Sequence, residues 1–122
     1  MSVGSKLQIK AGSSVEIVGL PDGVDLEIPD AGNTTHGKGA ATPADAVIAF
    51  IRDKAALDTV AQSAIAAALA DRLAWIAYPK AGKLGTDLNR DILARLAEER
   101  GIQPVRQVAI DDTWSALRFR PI

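Results

Sequence analysis

The hydrophobic positions of this chain alternate between two periods, and the alternation predicts its elements. VEIVGL, from Val15 to Leu20, is a β-branched run bounded by turn residues and reads as a mostly buried strand. AVIAFI, from Ala46 to Ile51, carries no charge and is the most strand-like run of all. From Lys54 to Ala70 the period changes. Leu57, Val60, Ala61, Ala64, Ile65, Ala68 and Leu69 recur at helical spacing, opposite Asp58, Gln62 and Ala66, with Asp53 as a candidate N-cap. RLAWIAY, Arg72 to Tyr78, is apolar again and predicts a third buried strand. A basic glycine-containing loop, PKAGKLGT, leads into a helix over Asp87–Arg100, where Leu88, Ile92 and Leu96 form one row. Thr86 is its candidate N-cap and Gly101 its C′ residue. Two alternating runs close the pattern, Pro104 to Ile110 and Trp114 to Phe119, joined by a turn at Asp111-Asp112, which is the spacing of a hairpin.

The remaining stretches are less regular. Leu7 and Ile9 alternate with polar neighbours and predict a short lead-in or edge strand. Pro21-Asp22-Gly23 is turn chemistry, and VDLEI after it alternates over Val24, Leu26 and Ile28. DAGNTTHGKGAATPAD offers little to bury, so residues 26–44 read as one long loop. Strands alternating with helices imply an α/β domain, a small Rossmann-like three-layer arrangement with a mainly parallel sheet and right-handed crossovers. The C-terminal hairpin adds one antiparallel strand to it.

Composition narrows the function classes more than it selects one. At 122 residues the chain fits a single domain. A formal net charge of -1 argues against nucleic-acid binding. There is no cysteine, hence no disulfide, thiolate metal site or thiol nucleophile, and the single histidine, His36, excludes a multi-histidine metal site. MSVGSKLQIK lacks the apolar core of a signal peptide, and no apolar run reaches membrane-spanning length. The expected compartment is the cytoplasm.

In a parallel α/β sheet, ligands bind outside the carboxyl ends of the strands. That rule gathers Pro21 and Asp22, Arg52 and Asp53, the loop after Tyr78, and the hairpin tip. The loop supplies the best anion-binding candidates: Lys80, Lys83, Gly85 and Thr86, two cations and backbone N–H groups ahead of a helix. Asp111, Asp112 and Trp114 complete the candidate ligand-binding set. The loop is not a P-loop, because GxxxxGK[ST] is absent. The two aspartates are too few for a carboxylate metal site and fit a turn better, and Trp114 fits core packing or a pocket wall. G-x-S-x-G is missing around every serine, His36 has no placed partner, and no catalytic or metal-binding residue is assigned. GLPDGVDLE lacks the glycine-rich turn into a helix that a dinucleotide or S-adenosylmethionine needs, so no cofactor is assigned either.

KLQIKAGSSVEIVGLPDG, DAVIAFIRDKAAL and LAWIAYPKAGKLGTDLNRDILARLAEERGIQPVRQVAIDDTWSALRFRP together resemble a family of small bacterial proteins, catalogued as domain of unknown function 3052. The closing DDTWSALRF is the most specific piece, and the stretch from Leu26 to Ala44 departs from the family. The resemblance implies a reduced version of the Rossmann-like sheet of class I methyltransferases, without implying an activity. Three functions are expected from these readings. The first is a non-catalytic domain that binds a small anionic ligand or a protein at its carboxyl edge. The second is an enzyme or degenerate enzyme of the methyltransferase-like group. The third is an accessory protein whose partner docks on the alanine-rich helix or a sheet edge.

Overall fold

A computed structural model describes residues 14–19, 33–36, 46–80 and 86–122. Within them lie six strands, β1 (Ser14–Val18), β2 (Asn33–His36), β3 (Ala46–Phe50), β4 (Leu73–Pro79), β5 (Ile102–Ala109) and β6 (Trp114–Pro121). Three helices accompany them, α1 (Ala56–Thr59), α2 (Gln62–Leu69) and α3 (Arg90–Glu98). The strands form one mixed sheet in the order β2-β1-β3-β4-β6-β5. The first four run parallel to their neighbours. β6 is antiparallel to both β4 and β5 and separates them. β5 therefore runs parallel to β4, and its carboxyl end lies on the same edge of the sheet.

Both faces of this sheet are buried, which is why AVIAF and LAWIAYP read as continuous apolar runs and not as alternations. On one face Val47, Ala49, Ala74, Ile76, Leu117 and Phe119 pack against the three helices. Ala61, Ala64, Ala67 and Ala68 are fully buried there, and their small side chains let α2 lie close to the strands. Leu93 and Ala97 anchor α3. On the opposite face Ile48, Phe50, Trp75, Ala77, Trp114 and Ala116 form a second cluster. All described helices share one face, so the described residues make two of the three expected layers.

Several expected boundaries move, each for a local reason. The single helix expected over Lys54–Ala70 is two helices, interrupted at Val60–Ala61. Ala61 sits at φ -93° and ψ 12°, outside helical geometry, and the Ala56 carbonyl accepts from the Val60 N–H at 2.7 Å as α1 ends. The expected loop over 26–44 contains β2, which pairs in parallel with β1 from Ser14↔Asn33 to Ile17↔His36. Main-chain hydrogen bonding at a sheet edge forms that strand, and NTTH has no hydrophobic alternation to announce it. The lead-in at Leu7–Ile9, the Pro21–Gly23 turn and the VDLEI run lie outside the described residues.

Two glycines hold left-handed conformations that the fold requires. Gly101 (φ 85°) ends the turn after α3, and a Cβ there would meet Leu69 Cδ2 at 3.3 Å. Gly19 (φ 72°) follows β1, where a Cβ would come within 3.0 Å of the Phe50 carbonyl oxygen.

Candidate functional site

The carboxyl ends of β1, β3, β4 and β5 and the start of β6 share one edge, and the described residues that follow β3, β4 and β5 are tied to each other. The Thr86 hydroxyl donates to the Arg52 carbonyl at 2.7 Å, and the Lys54 N–H donates to Asp87 Oδ1 at 3.0 Å. The Lys80 N–H donates to the Thr113 carbonyl at 2.7 Å, which fixes the start of the basic loop to the hairpin tip. Asp111 Oδ1 accepts from the N–H groups of Thr113 and Trp114, at 2.8 and 2.7 Å. Its carboxylate thus shapes the tip, the turn role its position suggests. Asp112 is exposed beside it.

A cleft of about 780 Å³ opens at this edge on the helical face. Lys80, Arg90, Asp91 and Asn89 form its rim, and Tyr78, Gln107, Ala109 and Ser115 its floor. Adjacent strands place the floor: Tyr78 lies opposite Ser115 on β6, and Ala109 of β5 opposite Ser115 from the other side. The Gln107 amide bridges them, 3.4 Å from the Tyr78 oxygen and 3.3 Å from Ser115 Oγ, and Ser115 Oγ donates to the Val108 carbonyl at 3.3 Å. Burial pushes the Tyr78 phenol above its ordinary value of 10.0, while its hydrogen bond with Ser115 and the charge of Arg90 pull it down. Tyr78 therefore stays a neutral hydrogen-bonding group near pH 7.

The rim follows from how α3 begins. Asn89, extended at φ -148° and ψ 179°, is the N-cap, and its Oδ1 accepts the Ile92 N–H at 2.8 Å. Thr86, the cap expected from sequence, instead accepts the Leu88 N–H at 3.0 Å while bonding to Arg52. The helix consequently starts three residues beyond the expected Asp87, which carries Arg90 to the cleft. Arg90 also lies 3.6 Å from Asp91, an exposed pair that leaves the guanidinium accessible.

A smaller cavity of about 300 Å³ lies at the ends of β1 and β3, lined by Gly19, Phe50, Arg52, Asp53, Ala56, Val60 and Trp114. Trp114 meets Phe50 edge-on, ring centroids 5.3 Å apart at 78°.

Of the residues singled out from sequence, Lys80 lines the larger cleft, Thr86 and Asp111 are engaged in loop and turn bonds, and Trp114 lines the smaller cavity. Lys83 and Gly85 lie outside the described residues. Sequence reading missed Arg90, Tyr78, Gln107 and Ser115. The pattern carries a signal for the last two: Gln107 is a polar member of the Val105–Gln107–Ala109 row near the carboxyl end of β5, and Ser115 stands second in β6, at the same edge of the sheet. Among the described residues no cluster of three or more His, Asp or Glu could hold a metal ion, and no helix is long and apolar enough to cross a membrane. Compared with family models, curated proteins and solved structures, the chain matches none.

Proposed function

We infer that this protein is a non-catalytic α/β binding domain whose ligand is a small anion seated in the larger cleft. One observation carries the reading: Lys80, from the end of β4, and Arg90, from the first turn of α3, line the same cleft above a hydrogen-bonding floor. Two cations, only partly offset by Asp91 beside Arg90, leave the rim net positive over a neutral polar floor and attract a phosphate or carboxylate, and the first turn of α3 adds a favourable dipole. Tyr78, Gln107 and Ser115 then bond to the uncharged part of the ligand.

The alternative, an enzyme or degenerate enzyme of the methyltransferase-like group, draws support from the sheet. An antiparallel strand between two parallel ones, in the order β2-β1-β3-β4-β6-β5, is the arrangement a reduced Rossmann-like, methyltransferase-like domain would have. Fold alone does not license that activity. Membership in the small bacterial family of unknown function, and a cytoplasmic location, belong to the same reading.

A thermal-shift panel of inorganic phosphate, nucleoside phosphates, simple carboxylates and S-adenosylmethionine tests it. A ligand at a hundredfold excess over its Kd adds about 2.7 kcal/mol of stability. At least one phosphate or carboxylate should raise the Tm, and Lys80→Ala with Arg90→Ala should abolish that rise. A panel with no shift, or a shift that survives both substitutions, sinks the anion reading. A shift with S-adenosylmethionine alone favours the alternative.

A further inference from the structure

We propose that the smaller cavity, at the ends of β1 and β3, is a separate binding site for an α-amino acid with an apolar side chain. Its apolar lining is Phe50 and Trp114, both buried and set edge to face, with Ala56 and Val60 of the α1 region. At about 300 Å³ it sits at the small end of the range for ligand pockets, about 300–1,000 Å³. A compact apolar group fills such a space without reaching the cleft around Lys80.

Two opposite charges line the same cavity. Arg52 and Asp53 are consecutive, both exposed, and both contribute to its lining. Consecutive residues of opposite sign would ordinarily neutralise each other if they pointed the same way, yet these two form no ion pair. The Arg52 guanidinium makes no hydrogen bond with any described residue; only its backbone carbonyl is engaged, by Thr86. Asp53 spends one carboxylate oxygen, Oδ1, on the Ala56 N–H at 3.0 Å and keeps the other. A pocket with an apolar interior and separated, incompletely used positive and negative groups is complementary to a zwitterion. The ligand carboxylate pairs with the Arg52 fork and its ammonium with Asp53 Oδ2, while the side chain enters between Phe50, Trp114 and Val60. A simple anion would be repelled by Asp53, and a simple amine by Arg52. This is how the site would discriminate.

Titration of the full chain with L-phenylalanine, followed by calorimetry and by tryptophan fluorescence, to which Trp75 and Trp114 both contribute, tests the proposal against two probes that each lack one charge, phenylacetate and phenethylamine. L-phenylalanine should bind saturably, and each single-charge probe at least about tenfold more weakly, the loss expected for a charge-assisted hydrogen bond of about 1.5–3 kcal/mol. Arg52→Gln should weaken L-phenylalanine about tenfold and leave phenethylamine no weaker. Asp53→Asn, which keeps the cap on Ala56 because asparagine caps as well as aspartate, should weaken L-phenylalanine and leave phenylacetate no weaker. Lys80→Ala should change none of these, which separates this site from the larger cleft. The proposal is overturned by the absence of saturable L-phenylalanine binding, by equal binding of all three probes, or by affinity that responds to Lys80→Ala but not to Arg52→Gln.

Discussion

Glu16 occupies a costly position. It is 6% exposed in the middle of β1, and its Oε2 has no hydrogen-bond partner among the described residues. Its neighbours Val15 and Ile17 belong to one face, so Glu16 shares the other with Val18 and Val47. Burying a carboxylate oxygen without a partner is unfavourable by about 1–3 kcal/mol. Glu16→Leu should therefore stabilise the protein, read as a higher urea midpoint at unchanged slope. Asn89 works in the opposite sense. Its side chain satisfies an N–H that α3 would otherwise leave unpaired, and Asn89→Ala should cost about 1 kcal/mol in the same measurement. Two exposed carboxylates add to the acid limb of stability. Asp71 is held below the ordinary 3.8 by hydrogen bonds from Arg120 and by its charge, and Asp58 below 3.8 by hydrogen bonds from Arg100. Because the folded-state pKa is the lower one, their contribution is present above about pH 3.8 and is lost as pH falls below it. Asp58→Asn and Asp71→Asn should each flatten the fall in Tm below pH 4 and leave its pH dependence above 5 unchanged.

Among the elements, α2 shows most clearly how packing follows from residue size. Ala64, Ala67 and Ala68 are all completely buried, so the helix backbone lies against β3 and β4 with no room for longer side chains. Ala67→Leu should destabilise by about 1–3 kcal/mol through overpacking, seen in thermal or urea unfolding. The same element shows what the chain pattern conveyed and what it withheld. β3 and β4 were legible because Ile48 and Trp75 sit in apolar runs long enough to be buried on both sides, and β6 because Trp114 to Phe119 follows a turn at hairpin spacing. The interruption at Val60–Ala61 was not, since the apolar positions from Leu57 to Leu69 keep helical spacing across it. β2 was invisible because NTTH is held by main-chain pairing, which leaves no mark in hydrophobicity. Lys80 was placed by the rule of strand carboxyl ends. Arg90 was missed because Thr86, an acceptable cap by type, is used to join the two loops, and the helix starts only after Asn89.

For the whole molecule, the sheet order sets the hierarchy of stability. β4 is central, paired with β3 on one side and β6 on the other, and its two faces are covered by both buried clusters. β5 lies at an edge, and Pro104, the irregular pairing between Pro104 and Arg106, and the exposed Arg106 discourage another strand from joining it. Amide hydrogen exchange should be slowest in β4 and the facing half of β6. The unpaired N–H groups of β5 should exchange fastest among the strand residues 102–109. A uniform rate across β4, β5 and β6 would contradict this order.

The antiparallel wedge of β6 between β4 and β5 has a consequence for how the molecule comes into being. A chain is made from its N-terminus, and β4 and β5 are both complete before β6 exists. Neither can pair with the other, since the place between them belongs to a segment still to be synthesised. β5 and α3 must wait beside an open row of β4 hydrogen-bonding groups until residues 114–121 emerge and close the sheet. The sheet order thus leaves the β4-β6-β5 part of the sheet open until β6 is made, while β2, β1, β3 and β4 can pair without it. Until then the apolar row of Trp75, Ile76 and Ala77 has an unpaired side, the moment at which a newly made chain most needs shielding from its neighbours.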